Sequence, residues 1–290
     1  MGQDWSRWLD EASDADAEPS VRPRGRAPVV RLRKGRKDGG DGGAAPRPVL
    51  VVGGCGGAGT TTTALGLAGE LGADTSAVAV DATCAGSDLA LRGADEHLSP
   101  ISLQQWLYGR GDDEPAPLKE CVSRASSGIG LLWRDASPLR RRATYLTVAR
   151  AVAEAGHTPV YDGGSPIAAR QLRPLLEDAE IAVVLAIPAR ADAANRLRVT
   201  LEWLDDEFGG HAEGQGGGIV GDTTVVVSHQ LPGNDSRVAD HLREHLTGWV
   251  RDICEIPYDA HLAHGELVRH NELDAETRRA YRRLLGGMAS

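Results

Sequence analysis

The chain has 290 residues, 41% of them hydrophobic, and a net charge of −9, which suits one full-sized core and a surface that as a whole repels nucleic acid and anionic lipid. Its four cysteines, Cys55, Cys84, Cys121 and Cys254, form no C-x-x-C pair, arguing against a zinc site and against a secreted disulfide framework. The acidic start, Met1 to Asp16, lacks an apolar h-region and no later run approaches the ~20 apolar residues of a membrane span, so a cytoplasmic protein is expected, neither exported nor integral.

Residues 1–46 read as a disordered charged tail and linker, because an acidic stretch (Asp4 to Glu18) runs into a basic one and then into DGGDGGAAP with little to bury. From Arg22 to Lys37 the basic part carries no acid. It could grip the phosphates of nucleic acid or an anionic membrane, or simply remain a solvated linker.

A folded domain is expected over 47–290. PVLVVGG is an apolar run ending in glycines, followed by a helix-like TTALGLAGELG and the apolar AVAVD. Further strands are predicted at 129–133, 158–162, 180–188, 223–228 and 249–257. Helices are predicted at Leu139 to Ala155, Ala191 to Phe208 and Asp235 to Leu246, and 209–218 reads as a Gly-rich surface loop. Apolar strands alternating with helices call for an α/β fold, a doubly wound, mostly parallel sheet covered by helices on both faces. Ligands of such a sheet bind at the carboxyl ends of its strands.

The segment Gly53 to Thr63, GGCGGAGTTTT, falls between the first strand and the first helix. Its glycines allow backbone N–H groups to converge on a phosphate at a helix N-terminus, and a following hydroxyl can hold Mg²⁺. Without the usual G-K-[ST] ending it could equally be a tight turn.

The segment resembles the deviant Walker A loop, K-G-G-x-G-K-T-T, of the ParA/MinD ATPases, a P-loop NTPase-like family. Cys55 takes the place of the signature lysine, Gly56, Gly57 and Gly59 match around Ala58, Thr60 replaces the P-loop lysine, and Thr61 and Thr62 match the two threonines. VAVDAT at 78–83 resembles the strand ending in the switch aspartate, here Asp81, and VYDGG ends in Asp162 like the Walker B strand. AIPARADAANRLRVTLEWL is similar to the strand and helix that follow, and EIPYDAHLAHGELV, with Pro257, to the segment bordering the adenine pocket. The likeness runs from about Val49 to Ala289, and within the family it is to actinobacterial ParA/MinD-like proteins, some of which accompany type VII secretion.

The resemblance implies ATP and Mg²⁺ as ligands, with Gly56, Gly57, Ala58, Gly59, Thr60, Thr61, Thr62, His229 and Pro257 around the nucleotide and Thr61, Asp81 and Asp162 around the metal. It also implies a dimer, of the chain with itself or with an active paralogue, that docks a protein cargo at the membrane or nucleoid. The departures point to weakened or lost hydrolysis, since both lysines are missing and Thr83 stands where the family commonly has a second acid. No catalytic residue is assigned. The leading expectation is a nucleotide-binding or pseudo-ATPase scaffold in positioning, partitioning or secretion, with charge borrowed from an arginine such as Arg140 or Arg190. The alternatives are an active ATPase of that type and an adaptor that binds DNA or membrane through its tail.

Weaker signals have simpler readings. His241 and His245 are spaced for one helix face but lack a third ligand, Cys55 and Cys84 are expected at the ends of neighbouring strands, and His229 could stack on adenine or merely close a strand. The last helix, DAETRRAYRRLLGGM, either closes the sheet or lies on anionic lipid.

Overall fold

The apolar runs form the strands of a single sheet in the computed structural model, which describes residues 46–84, 86–108, 117–139, 144–209, 218–233 and 235–289. The tail with its basic stretch, Arg140 and most of the Gly-rich loop lie outside the described residues. In chain order the strands are β1 (Val49–Gly53), β2 (Ala77–Asp81), β3 (Ser123–Arg124), β4 (Gly130–Leu132), β5 (Thr158–Gly164), β6 (Ala182–Pro188), β7 (Thr224–Ser228) and β8 (Asp252–Ile256). They lie side by side in the order β3-β4-β2-β5-β1-β6-β7-β8. Every pairing is parallel except β3 with β4.

The five main helices are α1 (Thr60–Asp74), α2 (Thr144–Glu154), α3 (Ala191–Phe208), α4 (Arg237–Leu246) and α5 (Ala275–Ala289). Strand side chains alternate between faces, and β1 sorts them cleanly. Leu50 and Val52 join the core that includes Tyr145, Val148, Leu197, Leu201 and Leu242 of α2, α3 and α4. Val49 and Val51 face the other core, with Leu67 and Leu71 of α1 and Tyr281 and Leu284 of α5. A doubly wound sheet covered on both faces is the result, and each of these fully buried aliphatic side chains contributes roughly 1.5–3 kcal/mol.

The contact of α1 with α5 depends on residues without side chains. A Cβ on Gly66 would come within 2.3 Å of the Tyr281 ring, and one on Gly69 within 2.5 Å of His270. Glu70 of α1, itself buried, binds His270 Nε2 and Arg282 Nε, both at 2.9 Å, so the two helices and the short turn His270–Glu272 are stapled by one carboxylate. The closing helix therefore packs on the sheet, and its apolar side, Ala280, Tyr281, Leu284 and Met288, is covered rather than free for lipid.

Other expectations shift in detail. The strand expected from 249 begins at Asp252, and the helix expected from Asp235 begins at Arg237, because the Asp235 carboxylate accepts the Arg237 N–H from outside the helix. β3, only two residues long and polar, carries no periodic signal. Cys55 and Cys84 follow β1 and β2, and β5 lies between those strands, so they do not end neighbouring strands. Among the described residues no helix is long and apolar enough to cross a membrane.

Candidate functional site

β1 hands the chain to α1 through Gly54–Gly59, and the geometry of this turn is set by glycine. Gly57 (φ 74°) and Gly59 (φ 83°) adopt the left-handed conformation that other residues avoid. Gly54 N–H donates to Ala186 O of β6 at 3.0 Å, and the Gln230 side chain donates to Gly57 O at 2.7 Å. The start of the loop is thus tied to β6 and its middle to the segment that follows β7.

Gly59 precedes the helix without any side-chain cap, and no acid stands in the first turn of α1. Helix N-termini normally satisfy their free N–H groups with a capping side chain or an acid. Here these donors, and the positive end of the helix dipole, are left for something else.

They open on a cavity of about 540 Å³. One wall is the loop and helix start, Cys55–Thr62; the others come from the carboxyl ends of β7 and β8 and the segment after them, with Ser228, His229, Gln230, Pro257, Tyr258, Asp259 and Leu262. Gly56, Gly57, Ala58, Gly59, Thr60, Thr61, Thr62, His229 and Pro257, singled out from the sequence, all line this one space. It lies at the carboxyl edge of the parallel strands, where β1 sits between β5 and β6, with β2 beyond the one and β7 beyond the other.

Asp81 and Asp162 do not reach the cavity wall. They sit directly opposite one another in the β2–β5 register, both fully buried, behind Thr61. Thr61 Oγ1 donates to Asp162 Oδ2 at 2.6 Å. Asp81 Oδ1 accepts from Thr83 N at 3.0 Å and Thr83 Oγ1 at 2.7 Å, and its Oδ2 accepts from Ser87 N at 2.7 Å. Thr83 thus gives both its N–H and its hydroxyl to Asp81.

Burial pushes the Asp162 carboxyl up to about 6; the Thr61 hydrogen bond opposes this and the neighbouring Asp81 charge adds to it. Two carboxylates in so dry a place are a standing demand for a cation. The donor set fits Mg²⁺: the oxygens are hard, and a hydroxyl that donates to Asp162 still keeps its lone pairs for a metal. Among the described residues no group of three or more His, Cys, Asp or Glu could hold a metal unaided. His245 Nδ1 meets the His241 carbonyl oxygen at 2.9 Å, and among the described residues the pair belongs to no metal-binding group of three.

His229 is anchored rather than loose. Its Nε2 lies 2.9 Å from Glu255 Oε2, and the same carboxylate accepts from Ser236 at 2.7 Å and from Arg243 at 2.8 Å. Burial alone would raise the Glu255 pKa, yet the Ser236, His229 and Arg243 donors outweigh it and hold the carboxyl below its usual range. The imidazole thus presents a fixed face to the cavity.

Of the two arginines expected to lend charge, Arg140 lies outside the described residues and Arg190 does not line the cavity. Arg190, just before α3, is spent on Asp192 through contacts of 3.0 and 2.5 Å, and both side chains are 61% exposed. Among the described residues, Arg92 is the Lys or Arg side chain that does line the cavity. Residue 92 lies in a short turn, Leu89–Gly93, and no sequence spacing ties it to the loop. Gln230 was missed too, although it adjoins His229.

No protein-family model matches the chain, and no curated protein matches it in sequence. Solved structures do resemble it. A ParA family ATPase from Chlorobium tepidum superposes with a TM-score of 0.63 at 16% identity over 83% of this chain and 99% of that one. The MinC:MinD cell division complex of Aquifex aeolicus gives 0.60 at 15% identity, covering 82% and 96%. Cobyrinic acid a,c-diamide synthase from Mycobacterium smegmatis, with bound ATP analogue and magnesium, gives 0.52 at 16% identity, covering 83% and 93%. At such identities the likeness is one of fold: the chain has the P-loop NTPase-like fold of the ParA and MinD ATPases, and a biosynthetic enzyme shares it.

Proposed function

We propose that this protein is a nucleotide-binding member of the ParA/MinD type whose hydrolysis is weak or lost, and that it works as a docking scaffold in positioning, partitioning or secretion. The observation that carries the reading is the uncapped start of α1, opened by two left-handed glycines onto a cavity of about 540 Å³. Gly56 to Thr62 would cradle the phosphates, with His229 and Pro257 beside the base. Mg²⁺, where bound, would supply charge neutralisation, held through Thr61 with Asp81 and Asp162 behind it.

The case for weak hydrolysis is chemical. Lys119 is the only lysine after residue 46, and it lies on the turn Leu118–Cys121, not among the cavity-lining residues. A threonine hydroxyl at 60 cannot stabilise the charge of a transferring phosphoryl group as an ammonium does. The complexes formed by MinD and the roles of other ParA-fold proteins make a dimer, a protein partner and a peripheral place at membrane or nucleoid the natural proposals for this chain. The basic segment 22–37 is the proposed route to an anionic surface.

The test is a pair of measurements on the full chain with Mg²⁺: titration with ATP and ADP, and phosphate release. Saturable binding with no turnover above background is expected. Clear turnover would make the protein a working ATPase, and absence of binding would retire the nucleotide site.

A further inference from the structure

We propose that Arg92 supplies the positive charge missing from the glycine-rich loop, binding the phosphates of a nucleoside di- or triphosphate from its place beside Thr62 at the start of α1. This rests on the nucleotide reading above and adds to it a residue outside the resemblance.

The placement of Arg92 is built rather than incidental. Leu89, Ala90 and Gly93 of its turn are buried, and a Cβ on Gly93 would come within 2.4 Å of Leu131 and 2.6 Å of Leu65. The turn is therefore pressed between β4 and α1, and this close approach directs Arg92 at the helix start. Its Nη1 donates to Thr62 Oγ1 at 3.0 Å. Its carbonyl oxygen accepts the Val268 N–H at 2.6 Å, which fastens the same turn to the segment after β8.

Its charge is also available. The nearest carboxylate, Asp88, stands 3.9 Å from Nε and is 56% exposed, whereas the Arg92 side chain is only 15% exposed; so long and wet a contact neutralises little. Arg190 does not line the cavity and its side chain turns to Asp192. The buried Arg134 gives its N–H groups to the carbonyl oxygens of Thr83, Asp135 and Ser137. Arg282 is held by Glu70. Asp259 also lines the cavity, but its carboxylate is occupied by the backbone N–H groups of His261, Leu262 and Asp274.

A guanidinium never deprotonates in a protein and offers five donors. With one donor on Thr62 and Nε only 3.5 Å from the Glu266 carbonyl oxygen, others remain for phosphate oxygens. Consecutive helix residues point about 100° apart, so Thr61 turns to Asp162 while Thr62 turns to Arg92. The arginine thus stands away from the aspartates that would flank a metal, placing it as a binding group that retains nucleotide without restoring what a P-loop lysine does for phosphoryl transfer.

The experiment compares the full chain with Arg92→Gln, Arg92→Lys and Arg190→Gln in titrations with Mg-ATP and Mg-ADP, each variant checked by its melting temperature. Arg92→Gln should weaken both nucleotides about 10- to 100-fold, the worth of a charge-assisted phosphate contact, Arg92→Lys should recover part of the loss, and Arg190→Gln should change affinity less than about twofold. In the unmodified protein, bound ADP should shield Arg92 from phenylglyoxal, mapped by mass spectrometry, and leave Arg190 reactive. This second readout stands even if Arg92→Gln does not fold. Wild-type affinity in a folded Arg92→Gln, equal losses in the glutamine and lysine variants, or an unshielded Arg92 would overturn the proposal. A wild-type protein that binds no nucleotide would instead overturn the reading beneath it.

Discussion

The Thr61 hydroxyl donates to Asp162 Oδ2 at 2.6 Å, joining the start of α1 to the end of β5 at the point where a second buried carboxylate, Asp81, faces Asp162 across the β2–β5 pairing. Two like charges without a cation oppose folding. Asp162→Asn keeps an acceptor for Thr61 and removes one charge. We expect the metal-free variant to gain about 1–3 kcal/mol in denaturant unfolding, since replacing strained buried charge is often stabilising, and to lose any stabilisation by Mg²⁺. Thr61→Val, which strips a donor from a buried carboxylate, should cost about 1–3 kcal/mol. A neutral or destabilised Asp162→Asn would show that the pair is already compensated.

Gly66 lets Tyr281 lie against α1. Glycine to alanine inside a helix ordinarily gains about 1 kcal/mol, but here the new methyl would sit 2.3 Å from a fully buried ring. Overpacking costs about 1–3 kcal/mol, so Gly66→Ala should lower the denaturant midpoint. Gly286→Ala in α5, where nothing lies within 4 Å of the added atom, should leave the midpoint unchanged or raise it. Equal behaviour of the two variants would mean that α5 does not seat on α1 as described.

These contrasts mark what could be read from the sequence. The central strands were legible because runs such as VLVVG and AVVLAIP are buried on both faces and leave no position for a polar residue. The loop was legible because glycine at 57 and 59 answers a backbone demand that no other residue meets cheaply. β3 was illegible, being two polar residues recruited by β4. Arg92 was illegible for a different reason: its approach to Thr62, thirty residues earlier, comes from how a five-residue turn packs between α1 and β4. Charge compensation is a tertiary property: of the two arginines expected from the sequence, Arg140 lies outside the described residues and Arg190 pairs with its own neighbour Asp192.

Glu255 gives the stability a defined dependence on pH. Its carboxyl is held below the usual range by Ser236, His229 and Arg243 in spite of its burial. A depressed carboxyl binds fewer protons folded than unfolded, so its contribution is fully present above the unfolded value near 4.5 and is lost as pH falls through the lower folded value. Between about pH 5 and pH 3, unfolding followed by fluorescence should therefore show a steeper loss of stability in the wild type than in Glu255→Gln. The variant should also loosen His229, which loses its Glu255 partner, seen as increased side-chain mobility of the imidazole by NMR. Parallel pH curves for the two proteins would remove Glu255 as a contributor.

Thr60 offers the sharpest test of the loop itself. It is the first residue of α1, lines the cavity, and its hydroxyl is among the groups that lower the Asp162 pKa. Thr60→Lys would place an ammonium between the uncapped helix start and the two buried carboxylates, so the charge would find partners with or without a ligand and the fold should not suffer. If phosphates occupy the cradle, the added cation should tighten ATP about tenfold or more, the scale of one charge-assisted contact. On the proposed function turnover should remain low, because Thr83, whose hydroxyl donates to Asp81, offers no carboxylate to orient water. Adding Arg92→Gln to Thr60→Lys should cost less affinity than Arg92→Gln alone, since the two cations would then share one anion. An ATP affinity unchanged or weakened by a folded Thr60→Lys would mean that the glycines of this loop serve the packing of the sheet and hold no phosphate.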